Sequence, residues 1–190
     1  LHDALPISSS VGLVAEGESF KNLTSITPNL ERADEPHVSE KGGVVFAAKK
    51  EQNWDLFYKK TPTATAIQKL TRHASDDTQP AFGPDGKRVA FASNRSGNFD
   101  IFILRLDGGT ARRQLTDTDS HEFSPSWSPD GKYIAYTRKS NLDGKSYIWL
   151  KNLENGANVQ LGPGRRPEFS PSGERILFES SSTGGAERWY

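Results

Sequence analysis

One phrase is written three times in this chain: TQPAFGPDGKRVAFASNR at 78–95, SPSWSPDGKYIAYTR at 124–138 and RRPEFSPSGERILFESS at 165–181. Its proline recurs at Pro36, Pro80, Pro125 and Pro167, at intervals of 44, 45 and 42 residues. A glycine follows six positions later each time, at Gly42, Gly86, Gly131 and Gly173. A second marker closes each unit: KNLT at 21–24, QKLT at 68–71, RQLT at 113–116 and the divergent VQLG at 159–162. Two independent markers with one period define a repeat array, and that constrains the fold more than any other property of the chain.

Within a unit the residues call for short strands and tight turns. Pro84-Asp85-Gly86 and Pro129-Asp130-Gly131 carry the chemistry of a hairpin turn, and Pro171-Ser172-Gly173 repeats it without the aspartate. Proline presets its own φ, aspartate hydrogen-bonds nearby backbone, and glycine accepts a positive φ at the turn's end. After each turn Val89 and Phe91, Ile134 and Tyr136, or Ile176 and Phe178 share one face, with Ala90, Ala135 or Leu177 on the other. Both faces are apolar, so these strands should be covered on two sides. Third strands are expected in DLFYKK at 55–60, DIFILRL at 100–106 and SYIWLKNL at 146–153, and a fourth should lead into the Leu-Thr marker. The repeated proline should open the first strand, where its missing N–H costs least.

Four short antiparallel strands every 42 to 45 residues match the blades of a β-propeller. The expected architecture is therefore all-β, an open propeller fragment of roughly four blades. Residues 8–24 are read as the end of a preceding blade, 25–71 as a divergent blade, 72–116 and 117–162 as full blades, and 163–190 as a truncated one. The opening LHDALPI, residues 1–7, reads as a non-native scar and is set aside. Missing blades of the same chain are thus expected as partners.

Composition narrows the role. Lys and Arg number 24 and Asp and Glu number 24, without a long run of one sign, so no electrostatic footprint for nucleic acid is written here. No apolar run approaches the roughly 18 residues that would span a bilayer, so membrane insertion is not expected. The chain has no cysteine, which removes thiolate metal sites and a cysteine nucleophile. Gly-x-Ser-x-Gly, His-Glu-x-x-His, a phosphate-binding loop and a complete calcium loop are all missing from its text, so neither catalytic residues nor a cofactor is expected. DTDSHE at 117–122 crowds oxygen ligands and an imidazole together, but it reads as a loop between blades. His37, His73 and His121 fall at different repeat positions and form no symmetric metal ring.

The pattern Pro-x-aromatic-Ser-Pro-Asp-Gly-x-x-Ile-Ala-Phe/Tyr, written here as PSWSPDGKYIAY at 125–136, resembles the WD40-like (PD40) repeat of TolB-type propellers. The resemblance spans 25–190. It implies a non-catalytic propeller that binds a protein or peptide partner in the periplasm or cell envelope. Similar repeats occur in the gating propellers of prolyl-oligopeptidase-like peptidases, in tricorn-type proteases and in oligogalacturonate-lyase-like enzymes, so the repeat specifies a fold before an activity. The resemblance also implies that the segment before each anchoring proline approaches the channel mouth. Asp76, Asp77, His121, Glu122, Arg165 and Arg166 are accordingly the candidate binding residues.

Overall fold

The computed structural model describes residues 12–13, 24–25, 27, 32–50, 52–107 and 112–180. The expectations for 1–7 and 181–190 lie outside the described residues. Near the start, β1 (Gly12–Leu13) pairs antiparallel with β2 (Thr24–Ser25). The first blade is β3 (Arg32–Val38), β4 (Val44–Lys50), β5 (Asn53–Lys59) and β6 (Gln68–Lys69). The second is β7 (Asp77–Phe82), β8 (Arg88–Ser93), β9 (Asp100–Arg105) and β10 (Arg112–Gln114), and the third is β11 (His121–Trp127), β12 (Tyr133–Lys139), β13 (Ser146–Asn152) and β14 (Asn158–Pro163). A fourth begins with β15 (Arg165–Phe169) and β16 (Ile176–Glu179). Each complete blade is a four-stranded antiparallel meander in sequence order. No helix occurs among the described residues, and the sheets do not close on one another into a ring.

The repeated phrase folds the same way every time. Gly42, Gly86, Gly131 and Gly173 have φ between +64° and +80°, and each donates its N–H to the carbonyl three residues earlier, at 2.8 to 2.9 Å. Asp85 accepts from the N–H of Lys87 and Arg88, and Asp130 accepts from the N–H of Lys132 and the hydroxyl of Ser128. The turns also touch one another. A Cβ on Gly131 would lie 3.2 Å from Cγ of Pro84, and one on Gly173 would lie 3.2 Å from Cδ of Pro129. The proline of one turn is therefore the seat for the glycine of the next.

Blades pack through a size rule. On the second strand the large residues face the preceding blade and alanine faces the following one. Val89 and Phe91 join Val45, Ala47 and Leu56 of the first blade in one cluster, while Ala90, Ala92 and Ile101 join Ile134 and Tyr136 of the third in another. Ala135 and Ile148 meet Ile176 and Phe178 of the fourth. Large against small is what lets sheets about 10 Å apart interdigitate. Leu177, on the face pointing away from the third blade, is left exposed.

The closing marker has a physical job. The Thr71 hydroxyl accepts the N–H of Leu56 at 2.9 Å and donates to the buried carboxylate of Asp55 at 3.2 Å. Thr116 does the same for Ile101 at 2.8 Å and Asp100 at 3.4 Å. The third blade lacks both halves of this device. Its register puts Tyr147 where Asp100 stands, and its marker ends in Gly162 in place of threonine.

One expectation is corrected. The repeated proline lies inside the first strand, within a bulge that shifts register between Asp34/His37, Thr78/Ala81, Phe123/Ser126 and Arg165/Glu168. A bulge interrupts the ladder, so the position tolerates a residue without an N–H.

Candidate channel-mouth site

The first strands β3, β7, β11 and β15 of successive blades lie side by side, and their bulges carry the only non-glycine residues with positive φ among the described residues. Glu35, Gln79, Ser124 and Arg166, each the residue before a repeated proline, have φ of +51° to +54°. This left-handed conformation costs a non-glycine residue roughly 1–2 kcal/mol, so something must hold it. The neighbouring blade does. Glu35 Oε2 accepts the N–H of Gln79 at 2.7 Å, and Gln79 Oε1 accepts the N–H of Ser124 at 2.8 Å. Serine is too short to continue the chain, and Thr137 Oγ1 takes the N–H of Arg166 at 2.9 Å instead.

A second set of contacts lies just past the proline. His37 Nδ1 accepts the N–H of Phe82 at 3.3 Å, and Ser126 Oγ accepts that of Phe169 at 3.2 Å. Between them the Trp127 indole donates to the carbonyl of Ala81 at 3.2 Å. Every seam is therefore tied twice, once on each side of the proline. Beyond these ties, a cavity of about 160 Å³ is lined by all four blades, including His37, Phe82, Ser126, Trp127 and Glu168.

Charge around this axis is graded from blade to blade. Glu35 is acidic, Gln79 and Ser124 are neutral, and Arg166 is basic. Burial raises the Glu35 carboxyl above its ordinary range, the Gln79 N–H opposes this, and the charge of Arg166 from the fourth blade opposes it too. Burial likewise raises Glu168 against its contact with Ser126, and lowers the His37 imidazole.

The model of the TolB beta propeller domain (PD40) matches residues 33–189. The chain belongs to that family. No curated protein sequence matches it. Among solved structures, TolB from Acinetobacter baumannii superposes with a TM-score of 0.76 at 23% identity, over 88% of this chain and 42% of that one. A putative TolB from Agrobacterium tumefaciens gives 0.72 at 18% identity, over 88% and 62%. An oligogalacturonate lyase in complex with manganese gives 0.63 at 18%, over 90% and 50%. The chain thus spans less than two thirds of the length of these relatives, and at such identities the likeness is one of fold.

The six residues chosen from the sequence fall into three closed pairs at the entrances of the first strands. Asp77 is fully buried and receives the Arg95 guanidinium at 2.6 Å, while Asp76 accepts the N–H of Trp54 from the preceding blade at 2.9 Å. Glu122, equally buried, meets Arg138 at 2.8 Å and the hydroxyl of Thr118 at 2.5 Å. His121 accepts the N–H of Phe99 and stacks on Phe123. Arg165 and Arg166 are exposed and share Glu179, at 2.7 and 2.9 Å. Burial pushes the Glu122 carboxyl up to about 7, with Asp100 adding to the rise and Thr118 and Arg138 opposing it.

Asp77 and Glu122 stand three residues before their prolines, whereas Arg165 and Arg166 stand two and one before theirs. Only Arg166 shares the bulge position with Glu35, Gln79 and Ser124. The sequence reasoning missed those three, along with His37, Ser126 and Glu168. The signal was present, since all six flank the repeated proline directly. Of DTDSHE, residues 117–120 form a loop pinned by Asn98, whose amide donates to the carbonyls of Thr118 and Ser120, while His121 and Glu122 open β11. Among the described residues no group of three or more His, Asp or Glu side chains is placed to hold a metal ion.

Proposed function

We propose that this chain is a non-catalytic propeller module of the cell envelope that binds a protein or peptide segment at its channel mouth. The observation that supports the reading is the set of bulge residues Glu35, Gln79, Ser124 and Arg166, which share one backbone conformation on four successive first strands and differ as acid, amide, hydroxyl and base. Such a set suits an extended peptide, which offers both N–H donors and carbonyl acceptors along its length. Rigid blades hold the groups in place, so a ligand meets a site already organised. The histidines support binding over chemistry. His37 and His121 use Nδ1 to accept backbone N–H groups, and His73 Nδ1 pairs with the hydroxyl of Ser75 at 2.9 Å. The likeness to TolB-type propellers supports the envelope location and the partner class.

The test is selection of a displayed peptide library on the full chain, followed by fluorescence anisotropy with the enriched peptides. Saturable binding that weakens at least fivefold in Gln79→Ala, and stays within twofold in Lys132→Ala, is the expected result. Failure to enrich any peptide, or equal affinities in the two variants, would refute the site. Saturable cleavage of peptide or polygalacturonate substrates by the purified chain would refute the non-catalytic reading.

A further inference from the structure

A concentration of positive charge lies away from the repeated prolines. Between the outer strands of the first two blades is a cavity of about 480 Å³, and its lining includes Lys69, Arg72, Arg95, Arg105 and Arg112. Leu70, Leu104 and Leu106 supply its apolar part. It shares no lining residue with the channel cavity.

Three of these cations are matched by carboxylates: Lys69 by Asp55 at 2.6 Å, Arg95 by Asp77 at 2.6 Å and Arg105 by Asp107 at 2.7 Å. Arg72 is exposed and has no carboxylate partner among the described residues. Arg112 donates to the carbonyl of Leu70 at 2.9 Å, which fixes its guanidinium across the seam. Burial holds the Arg112 guanidinium below its ordinary range, and the fields of Arg95 and Arg72 depress it further, while Asp77 and Asp55 oppose. An incoming anion would relieve that repulsion.

The repeat supplies an internal control. One blade further on, strand register and the hydrogen bonds of the closing marker put Gln114, Asp117, Asn152 and Asn158 where Lys69, Arg72, Arg105 and Arg112 stand. At these four positions the next seam has three neutral residues and an acid, while Arg113 and Lys151 stand there in place of Gln68 and Leu104. The cationic cluster is therefore not required to pack blade on blade.

We propose that the seam between the first and second blades is a separate binding site for an acidic peptide segment, its carboxylates meeting Arg72 and Arg105 and its aliphatic side chains lying on Leu70 and Leu106. Arginine suits this role because its planar fork matches a carboxylate in two hydrogen bonds. The volume falls in the range of pockets that enclose several residues' worth of ligand atoms, far more than one inorganic anion fills. A free phosphate would also leave the half-buried Leu70 and Leu106 wet. Nucleic acid fits poorly, because no exposed aromatic accompanies the cations and carboxylates already match three of them. The site does not depend on the channel mouth, and either can fail without the other.

The test uses the full chain and a fluorescein-labelled hexapeptide, Glu-Leu-Glu-Leu-Glu-Leu, read by anisotropy, with its Gln-Leu counterpart and inorganic phosphate as comparators. The glutamate peptide should bind saturably, and at least tenfold more tightly than the glutamine peptide. Arg72→Gln and Arg105→Gln should each weaken it at least fivefold, whereas Arg113→Gln, an exposed cation on the same strand as Arg112, should change it less than twofold. Raising ionic strength from 50 to 500 mM should weaken it in the wild type and much less in Arg72→Gln. Equal binding of the two peptides, an equal loss in Arg113→Gln, displacement by phosphate as readily as by unlabelled peptide, or no binding would each overturn the proposal.

Discussion

Replacing Gly131 by alanine separates two jobs that the repeated turn performs at once. Any alanine at φ +70° enters the left-handed region, at roughly 1–2 kcal/mol. The stiffer unfolded chain that alanine brings offsets about 0.4–1 kcal/mol of this. Gly144, at φ +68° with nothing within 4 Å of a would-be Cβ, measures this local cost alone. At Gly131 the new methyl also comes within 3.0 Å of Arg88 Nη2 and 3.2 Å of Pro84 Cγ. The arginine tip can swing aside, but the proline ring belongs to the preceding blade's turn and must be displaced, for about 1–3 kcal/mol more. At roughly 2–4 °C per kcal/mol for a chain of this size, Gly144→Ala should lower Tm by about 1–4 °C and Gly131→Ala by about 4–12 °C. Lys132→Ala, next door and exposed, should shift it by no more than about 2 °C, as surface changes of ~0.5 kcal/mol do. Thermal unfolding followed by near-ultraviolet circular dichroism reads all three. Equal losses in Gly131→Ala and Gly144→Ala would show that the turns do not bear on one another, and the account of why the phrase repeats would fall.

The remaining predictions concern buried polar groups. Glu122 in the folded chain titrates near 7 against an ordinary 4.5, so its contribution to stability is whole below pH 4.5 and is lost as pH rises through 7. The ceiling on that loss is about 3 kcal/mol. Tm measured from pH 5 to 8 should fall more steeply in the wild type than in Glu122→Gln, and parallel slopes would contradict the assignment. Thr116→Val removes the hydroxyl that serves both Ile101 and Asp100, and should cost about 1–3 kcal/mol in urea unfolding, with Thr71→Val alike. Neutral behaviour in both would mean that the closing marker does not fasten the third strand. Phe91→Ala empties the seam between the first two blades and should cost about 3–5 kcal/mol; a loss under 1 kcal/mol would argue against that packing.

What could be read from the sequence was whatever the chain states locally and then repeats. The turn at Ser128-Pro129-Asp130-Gly131 needs only its own four residues, and the strand after it needs only alternation, so both were legible at Ile134-Ala135-Tyr136. Proline at 125 was legible as a strand residue but not as a bulge. The conformation of Ser124 is fixed by a side chain 45 residues away, Gln79, through contact with the next blade. The site suffered for the same reason. Asp77 and Glu122 drew attention because they are charged, yet the fold buries both against arginines. The groups at the bulges are chosen for reach: Glu35 and Gln79 are long enough to cross a seam, and where Ser124 is too short Thr137 substitutes. Net charge says nothing about reach.

A repeat protein separates architecture from function by its own internal comparison. Positions that hold the same residue in successive blades, such as Gly86, Gly131 and Gly173, answer to geometry that every blade shares. Positions that change from blade to blade are released from that demand, and two kinds of release can be told apart here. Asp100 and Thr116 give way together to Tyr147 and Gly162, as expected of partners in one hydrogen bond, since either left alone would be a buried polar group without its mate. Lys69, Arg72, Arg105 and Arg112 differ in kind: Asp55 holds Lys69 and Asp107 holds Arg105, and Arg72 has no carboxylate partner among the described residues. They crowd like charges around one cavity where the next seam manages with Gln114, Asp117, Asn152 and Asn158. Repulsion of that kind lowers stability unless something negative offsets it, and the chain's own carboxylates match only part of it. The departure from symmetry is thus most costly where it is easiest to explain by a ligand.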